Sequence, residues 1–231
     1  MSDQSAFNQN HVAEKAYVEP SGVLDQLNLP PAVVRFIREN KRLLQIIAVV
    51  VVLVVVVGSL YDSYRKNRLE KSASSLAISM EATGEEKIKA LEQVAADYSG
   101  TPSAQWAVVE LGHMAMKDHL FSKAESYYSE VRSDVSESNP MYGLLTFGLA
   151  QSQEAGKNYD AAGQTYSSLK EIVGYQDEGY MGMGRVFEAE NKKDAALAVY
   201  EEYLGTFLGE KANPQLTRII HEKINRLSST E

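Results

Sequence analysis

The sequence of 231 residues contains no cysteine. Without cysteine the chain has no disulfide framework, no zinc site with thiolate ligands and no acylated cysteine that would anchor it to lipid. The absence suits an oxidising compartment without identifying one.

Histidine and the motifs of enzyme chemistry are also scarce. No H-E-x-x-H metal motif and no G-x-S-x-G nucleophile turn occurs, and the glycine-rich stretch at residues 179–184 lacks the spacing of a phosphate-binding loop. The four histidines are His11, His113, His119 and His221. We therefore expect no catalytic residue, no metal site, no cofactor and no small-molecule substrate.

Positive charge is in short supply. The chain has 23 Lys and Arg against 31 Asp and Glu, a formal net charge of −8. Residues 1–42 hold five acidic and five basic side chains, so the whole negative excess lies after them. Binding to a phosphate backbone depends on neutralisation by Lys and Arg. We expect no nucleic-acid partner.

One apolar run stands out against this polar composition. Residues 46–57 are entirely apolar, eight of them valine, and residues 43–60 carry no charge. As a helix this stretch is roughly 27 Å long, close to the hydrocarbon thickness of a bilayer. A core strand is shorter, and a cleaved signal would lie nearer the start with small residues after it, whereas Tyr61 and Asp62 follow here. We predict an uncleaved single-pass transmembrane helix at residues 43–61.

Two segments precede the predicted span. Residues 1–32 are polar without a sustained hydrophobic period, which predicts a flexible tail. Residues 33–42 form a basic amphipathic segment, with Phe36 and Ile37 on one side and Arg35 and Arg38 largely on another. It is either an interfacial helix whose cations meet anionic headgroups or the solvated start of the membrane helix.

The charges beside the span leave its orientation open. The positive-inside rule compares the Lys and Arg residues on the two flanks. There are four before the span and four after it, at positions 35, 38, 41 and 42 and at positions 65, 66, 68 and 71.

Residues 66–231 carry a repeated pattern. An alanine is followed four positions later by an aromatic residue and seven positions later by another large side chain. The three copies are FSKAESYYSEV (121–131), YDAAGQTYSSL (159–169) and KDAALAVYEEY (193–203), with a weaker copy around Ala90 and Val94. Successive alanines are 34, 38 and 34 residues apart. A period of about 34 residues is that of the tetratricopeptide repeat, a helix–turn–helix unit.

The first helix of each unit fits the same register. Twelve residues before the alanines lie the small residues Gly112, Ala150 and Gly184, which allow two helices to cross closely. The predicted fold is all-α, with a single transmembrane helix, a tetratricopeptide-like helical-hairpin solenoid and a C-terminal capping helix. The inward side of that last helix is predicted to be Leu216, Ile219, Ile220, Ile224 and Leu227.

Such solenoids bind partners in a concave groove lined by their first helices. Counting along the repeat gives the groove candidates Trp106, Val109, His113, Met116, Leu144, Phe147, Gln151, Met181 and Arg185, with Glu188 next in line. No cluster of Lys or Arg occurs among them, so we expect an apolar ligand segment, either extended or amphipathic. Trp106 has the alternative role of sealing the preceding repeat.

The chain resembles the YfgM-like ancillary subunits of the bacterial SecYEG translocon. The likeness rests on an N-terminal tail, one span, degenerate repeats and the terminal KINRLSS at residues 223–229, and it covers roughly residues 33–229. It implies a single-pass inner-membrane protein with a cytoplasmic N-terminus and a periplasmic repeat domain. The implied partners are the translocon and a membrane-anchored prolyl-isomerase-like chaperone.

The resemblance implies no catalytic residue, and this chain departs from the family in its longer tail and valine-rich span. Two functions remain open at this stage. One is an adaptor that works with the Sec translocon and periplasmic chaperones on exported proteins. The other is a scaffold for a different cell-envelope complex, such as secretion, cytochrome maturation or division machinery.

Overall fold

A computed structural model describes residues 30–207 and 213–229, and every regular element within these ranges is an α-helix. This confirms the all-α prediction. The helices are α1 (Pro31–Glu39), α2 (Lys41–Glu81), α3 (Gly84–Asp97), α4 (Pro102–Lys117), α5 (Phe121–Asp134), α6 (Met141–Ala155), α7 (Tyr159–Lys170), α8 (Gln176–Ala189), α9 (Lys193–Thr206) and α10 (Pro214–Ser229).

The chain divides into two units after Ser63. In the first unit, α1 begins with a proline in its first turn, where the missing N–H costs no hydrogen bond. It ends at Asn40, whose side-chain Nδ2 donates to the carbonyl oxygen of Phe36 at 3.0 Å. The predicted tail, residues 1–32, lies almost entirely outside the described residues.

The valine run lies in α2. Among the described helices, α2 alone is long and apolar enough to cross a membrane, and none of its apolar stretch is buried. Val49 to Val57 are all exposed. A helix this apolar satisfies its backbone polar groups internally, as a lipid environment requires.

The second unit, residues 64–231, is a stack of helix pairs. The pairs are α4 with α5, α6 with α7, and α8 with α9, and each helix packs against the next one along the chain from α3 to α10. The last part of α2 also packs against this unit, where Leu76 contacts the cluster formed by Leu91, Val94, Ala107 and Leu111. There Ser72 is buried and its hydroxyl lies 3.1 Å from that of Ser103 in α4.

The repeat signature forms the core of this stack. The alanines at 124, 162 and 196 are each 0% exposed, and the aromatic residues four positions later are 0–3% exposed. The weaker copy differs: Leu91 and Val94 are buried, whereas Ala90 is half-buried. In α3, therefore, the leucine takes the core position that we assigned to the alanine.

Glycines in the first helices make room for the tyrosine rings. A Cβ atom on Gly112 would lie 2.9 Å from the ring of Tyr128, and one on Gly184 would lie 2.2 Å from the ring of Tyr200. The glycine-rich stretch at 179–184 is thus a packing feature inside α8.

Each helix that follows a Thr-Pro or Asn-Pro pair receives a side-chain cap. The Thr101 hydroxyl accepts from the N–H of Ala104 at 3.2 Å. The Asn139 and Asn213 side chains accept from backbone N–H groups at 2.9 Å and 3.3 Å. These bonds satisfy donors that have no partner within the helix.

Helix α10 ends the stack. Leu216 and Ile220 are buried, and Ile224 and Leu227 are partly buried against the same cluster. The prediction for Ile219 was wrong, because this side chain is 39% exposed and faces the groove described below.

Candidate partner-binding groove

The repeat domain contains a groove of about 840 Å³, called here the main groove. Most of the residues that line it lie on or next to α4, α6, α8 and α10, so alternate helices of the stack contribute to one surface. Its apolar lining consists of Met116, Phe147, Ala155, Met181, Ala189, Leu216 and Ile219. This volume and apolar character are typical of a ligand-binding site.

Glu154, a polar residue of the groove lining, accepts three hydrogen bonds from neighbouring side chains. Arg185 lies on α8, the first helix of the next pair, and donates two hydrogen bonds to the Glu154 carboxylate, both at 2.8 Å. The Tyr166 hydroxyl donates to the same carboxylate at 2.5 Å, and Arg185 also donates to that hydroxyl at 3.0 Å. The charge of Arg185 is therefore directed into the stack.

Glu188 repeats this arrangement one unit further on. The Tyr200 hydroxyl donates to it at 2.5 Å, and Lys223 of α10 donates at 2.7 Å. Arg226 of α10 also donates to Glu188. Each glutamate thus accepts hydrogen bonds from a tyrosine in the second helix of its own pair and from a cationic side chain in the helix that follows this pair.

These contacts shift the titration of the buried groups. Burial opposes the charged form of Glu154, but hydrogen bonds from Arg185 and Tyr166 outweigh it and hold the pKa of Glu154 below its ordinary value. The same balance, with Lys223 and Tyr200 as donors, lowers the pKa of Glu188. Burial raises the pKa of Tyr166, and its bond to Glu154 raises it further. The tyrosines therefore remain neutral donors and the glutamates ionised acceptors.

The lining of the main groove includes two neighbouring acids, Asp177 and Glu178. Asp177 accepts from the Tyr203 hydroxyl at 2.9 Å and from the Asn213 amide at 3.1 Å. Glu178, its neighbour in the lining, has a buried Oε2 atom with no hydrogen-bond partner in the described part of the chain. A carboxylate oxygen in this state is under-satisfied, because burial removes water and nothing replaces it.

The structure gathers five of the nine predicted groove residues into the main groove: Met116, Phe147, Gln151, Met181 and Arg185. Trp106 is 42% exposed and Leu144 is half-buried, and neither lines this groove. Val109 is 1% exposed and packs in the core with Leu145 and Leu149. It shares its repeat position with Phe147 and Met181, but the shorter valine side chain stays between the helices.

His113 lines a separate space of about 620 Å³, the side groove, between α4 and the α2–α3 connection. Its ring lies 5.8 Å from that of Tyr128, and its Nδ1 atom is 3.5 Å from Glu110. Lys87 donates to Glu110 at 2.6 Å. This hydrogen bond is the main cause that lowers the pKa of Glu110.

Sequence reasoning missed Glu154, Glu178, Leu216 and Ile219. Glu154 shares its repeat position with Met116 and Glu188, and Glu178 shares its position with Trp106 and Leu144. Carrying the repeat register through every unit would have found the first two. No group of three His, Cys, Asp or Glu side chains suited to a metal ion occurs in the described ranges.

Residues 35–229 match the family described as tetratricopeptide repeat-like domain. No curated protein matches the sequence. Among solved structures, the chain is similar to a crystal structure of a predicted kinesin light chain from Podospora anserina with nearly identical TPR-like repeats. The two chains are 15% identical with a TM-score of 0.50, and the match covers 71% of this chain and 85% of that one. This likeness shows the fold alone.

Proposed function

Because the chain belongs to the tetratricopeptide repeat-like domain family, we propose that it is a membrane-anchored adaptor that binds segments of other proteins in the main groove. The supporting observation is the groove itself: four alternate helices of the stack present a mostly apolar lining to solvent. Repeat solenoids use such surfaces for peptides and helices. The proposal assigns no catalytic step to the chain.

The proposed location is the bacterial inner membrane, crossed once by the apolar stretch of α2. The N-terminus is cytoplasmic and the repeat domain periplasmic in this proposal. The proposed partners are the Sec translocon and a membrane-anchored prolyl-isomerase-like chaperone, and the clients are newly exported proteins. Support comes from the candidate span, the repeat family and the resemblance of roughly residues 33–229 to the translocon subunit family.

Photo-crosslinking in intact membranes tests the groove. A benzoylphenylalanine probe replaces Phe147 in the main groove, and a matched probe replaces Ser126, an exposed residue of α5 outside it. We expect crosslinks to a chaperone or to exported chains from position 147 and not from position 126. Equal crosslinking from the two positions would contradict binding in the groove.

A third probe at Val54 tests the membrane partner. This side chain is 65% exposed in the apolar stretch of α2. We expect translocon subunits among its crosslinked products. Reproducible crosslinks from positions 54 and 147 to another envelope complex would leave an interaction module but replace the translocon by the scaffold alternative.

The orientation has its own test, because the chain contains no cysteine. A Ser126→Cys variant provides one thiol, and this residue is exposed on α5. We expect a membrane-impermeant maleimide to label it once the outer membrane is opened. Labelling only after lysis of the inner membrane would place the repeat domain in the cytoplasm.

A further inference from the structure

We infer that the main groove selects protein segments in which an arginine or lysine is flanked by apolar side chains. This inference rests on the proposed function, since it specifies the chemistry of the partner for the same groove. Three features carry it: the net charge of the lining, the state of Glu178 and the apolar surface beside it.

The lining of the main groove is negatively charged. It contains three carboxylates, Glu154, Asp177 and Glu178, and one cation, Arg185. Glu154 and Arg185 neutralise each other through two hydrogen bonds of 2.8 Å. The charge offered to a ligand is therefore that of the two remaining acids.

Neither of these acids is compensated by a cation within the described contacts. Asp177 accepts hydrogen bonds from a tyrosine hydroxyl and an asparagine amide, both neutral groups. Glu178 lines the groove and forms no ion pair among the described contacts. A ligand cation would balance the charge of these two acids, whereas an acidic ligand would be repelled.

The two acids share the groove with apolar side chains. Phe147, Met181, Leu216 and Ile219 line the same groove, and methionine adapts its shape to different apolar ligands. A guanidinium can engage a carboxylate and stack on an aromatic ring, so arginine fits this combination better than lysine. The preferred segment therefore has apolar residues on both sides of an arginine.

Fluorescence anisotropy with the full chain in detergent micelles tests the inference. The probe is a labelled peptide of sequence GSLLRLLSG, compared with peptides carrying Gln or Glu in place of Arg. We expect the Arg peptide to bind about tenfold more tightly than the Gln peptide, as one charge-assisted hydrogen bond provides. The Glu peptide is expected to bind most weakly, and high salt should reduce the differences.

Two variants assign the selectivity to the groove. Glu178→Gln removes the charge and keeps the shape, so it should reduce the preference for Arg over Gln to less than about threefold. Glu201→Gln removes the same charge from an exposed position of α9 outside the groove and should leave the preference unchanged. Circular dichroism checks that both variants keep the helical fold.

Failure of this inference can be told apart from failure of the proposed function by a Phe147→Ala variant. If this variant weakens all three peptides while the wild-type chain binds them equally, the groove binds peptides but the charge selection is wrong. An Arg preference that survives Glu178→Gln would overturn the role of Glu178. Binding that is the same in wild type and Phe147→Ala would contradict binding in the groove itself.

Discussion

Replacing Gly182 by alanine tests the packing on which the whole stack depends. A Cβ atom at this position of α8 would lie 2.2 Å from Cδ1 and Cε1 of Tyr166 and 2.5 Å from its Cγ. Because Cγ is where the ring joins the side chain, turning the ring about its own axis cannot remove the clash. The ring is 0% exposed, and its hydroxyl is fixed by Glu154.

The magnitude follows from two opposing effects. Overpacking a well-packed core costs about 1–3 kcal/mol, while alanine is favoured over glycine inside a helix by about 1 kcal/mol. Since the contact is far below van der Waals distance and the ring is fixed, the cost lies in the upper part of its range. We expect Gly182→Ala to lower the free energy of unfolding by about 1–2 kcal/mol.

Gly163 in α7 provides the matched control. A Cβ atom there would lie 3.9 Å from its nearest neighbour, Cγ1 of Val186, an ordinary contact. Gly163→Ala should therefore gain the helix preference alone and raise the free energy of unfolding by up to about 1 kcal/mol. The two substitutions are chemically identical, but their effects should have opposite signs.

Thermal unfolding of the full chain in detergent micelles, followed by circular dichroism, measures both variants. One kcal/mol corresponds to about 2–4 °C in Tm for a domain of this size. Hydrogen exchange of the α8 amides shows whether the loss is local, since repeat arrays unfold in parts. If Gly182→Ala raises Tm as Gly163→Ala does, the tyrosine ring does not occupy the space above the glycine.

Two further predictions concern a helix cap and an ion pair. Thr101→Ala removes the acceptor for the N–H of Ala104 and should lower the free energy of unfolding by about 1 kcal/mol, measured by thermal unfolding. Thr101→Ser keeps a hydroxyl acceptor and should retain most of that stability. Equal losses in the two variants would refute the cap. For Glu154, burial favours the neutral form, but Arg185 and Tyr166 prevail and hold its native pKa below 4.5. Its ionisation therefore stabilises the fold above about pH 4.5, and this contribution is lost as the pH falls through the lower native pKa. Glu154→Gln should flatten the acid-induced fall in Tm, and an unchanged fall would show that the pair contributes nothing.

The helical stack could be predicted from the sequence because its packing rule is local and repeated. A small residue must lie under each aromatic ring, and so Gly112, Ala150 and Gly184 recur at a fixed distance before Ala124, Ala162 and Ala196. The rule fails where a larger residue takes the inner position, as Leu91 does in α3. It also cannot assign a direction to a residue such as Ile219, because within the described residues no second helix pairs with α10 to fix its register.

The groove was only partly predictable, because repeat position gives the side of a helix but not the reach of a side chain. Val109, Phe147 and Met181 share one position, yet Val109 is buried and the two longer residues line the groove. Glu154 was missed although Glu188, at the same repeat position, was among the candidates. Its role depends on Tyr166, twelve residues later, and on a cation contributed by the next repeat.

These ion pairs change how the charges of the solenoid should be interpreted. In the sequence, Arg185 is the one Lys or Arg residue among the groove candidates, and the expected ligand is an apolar segment. In the structure its guanidinium is turned toward Glu154 of the preceding repeat, as Lys223 is turned toward Glu188. A charge in such an array is available for recognition only when the neighbouring repeat does not supply its counter-ion. Glu178 meets that condition and Arg185 does not, so the groove that the sequence predicts to be apolar also offers negative charge to a ligand.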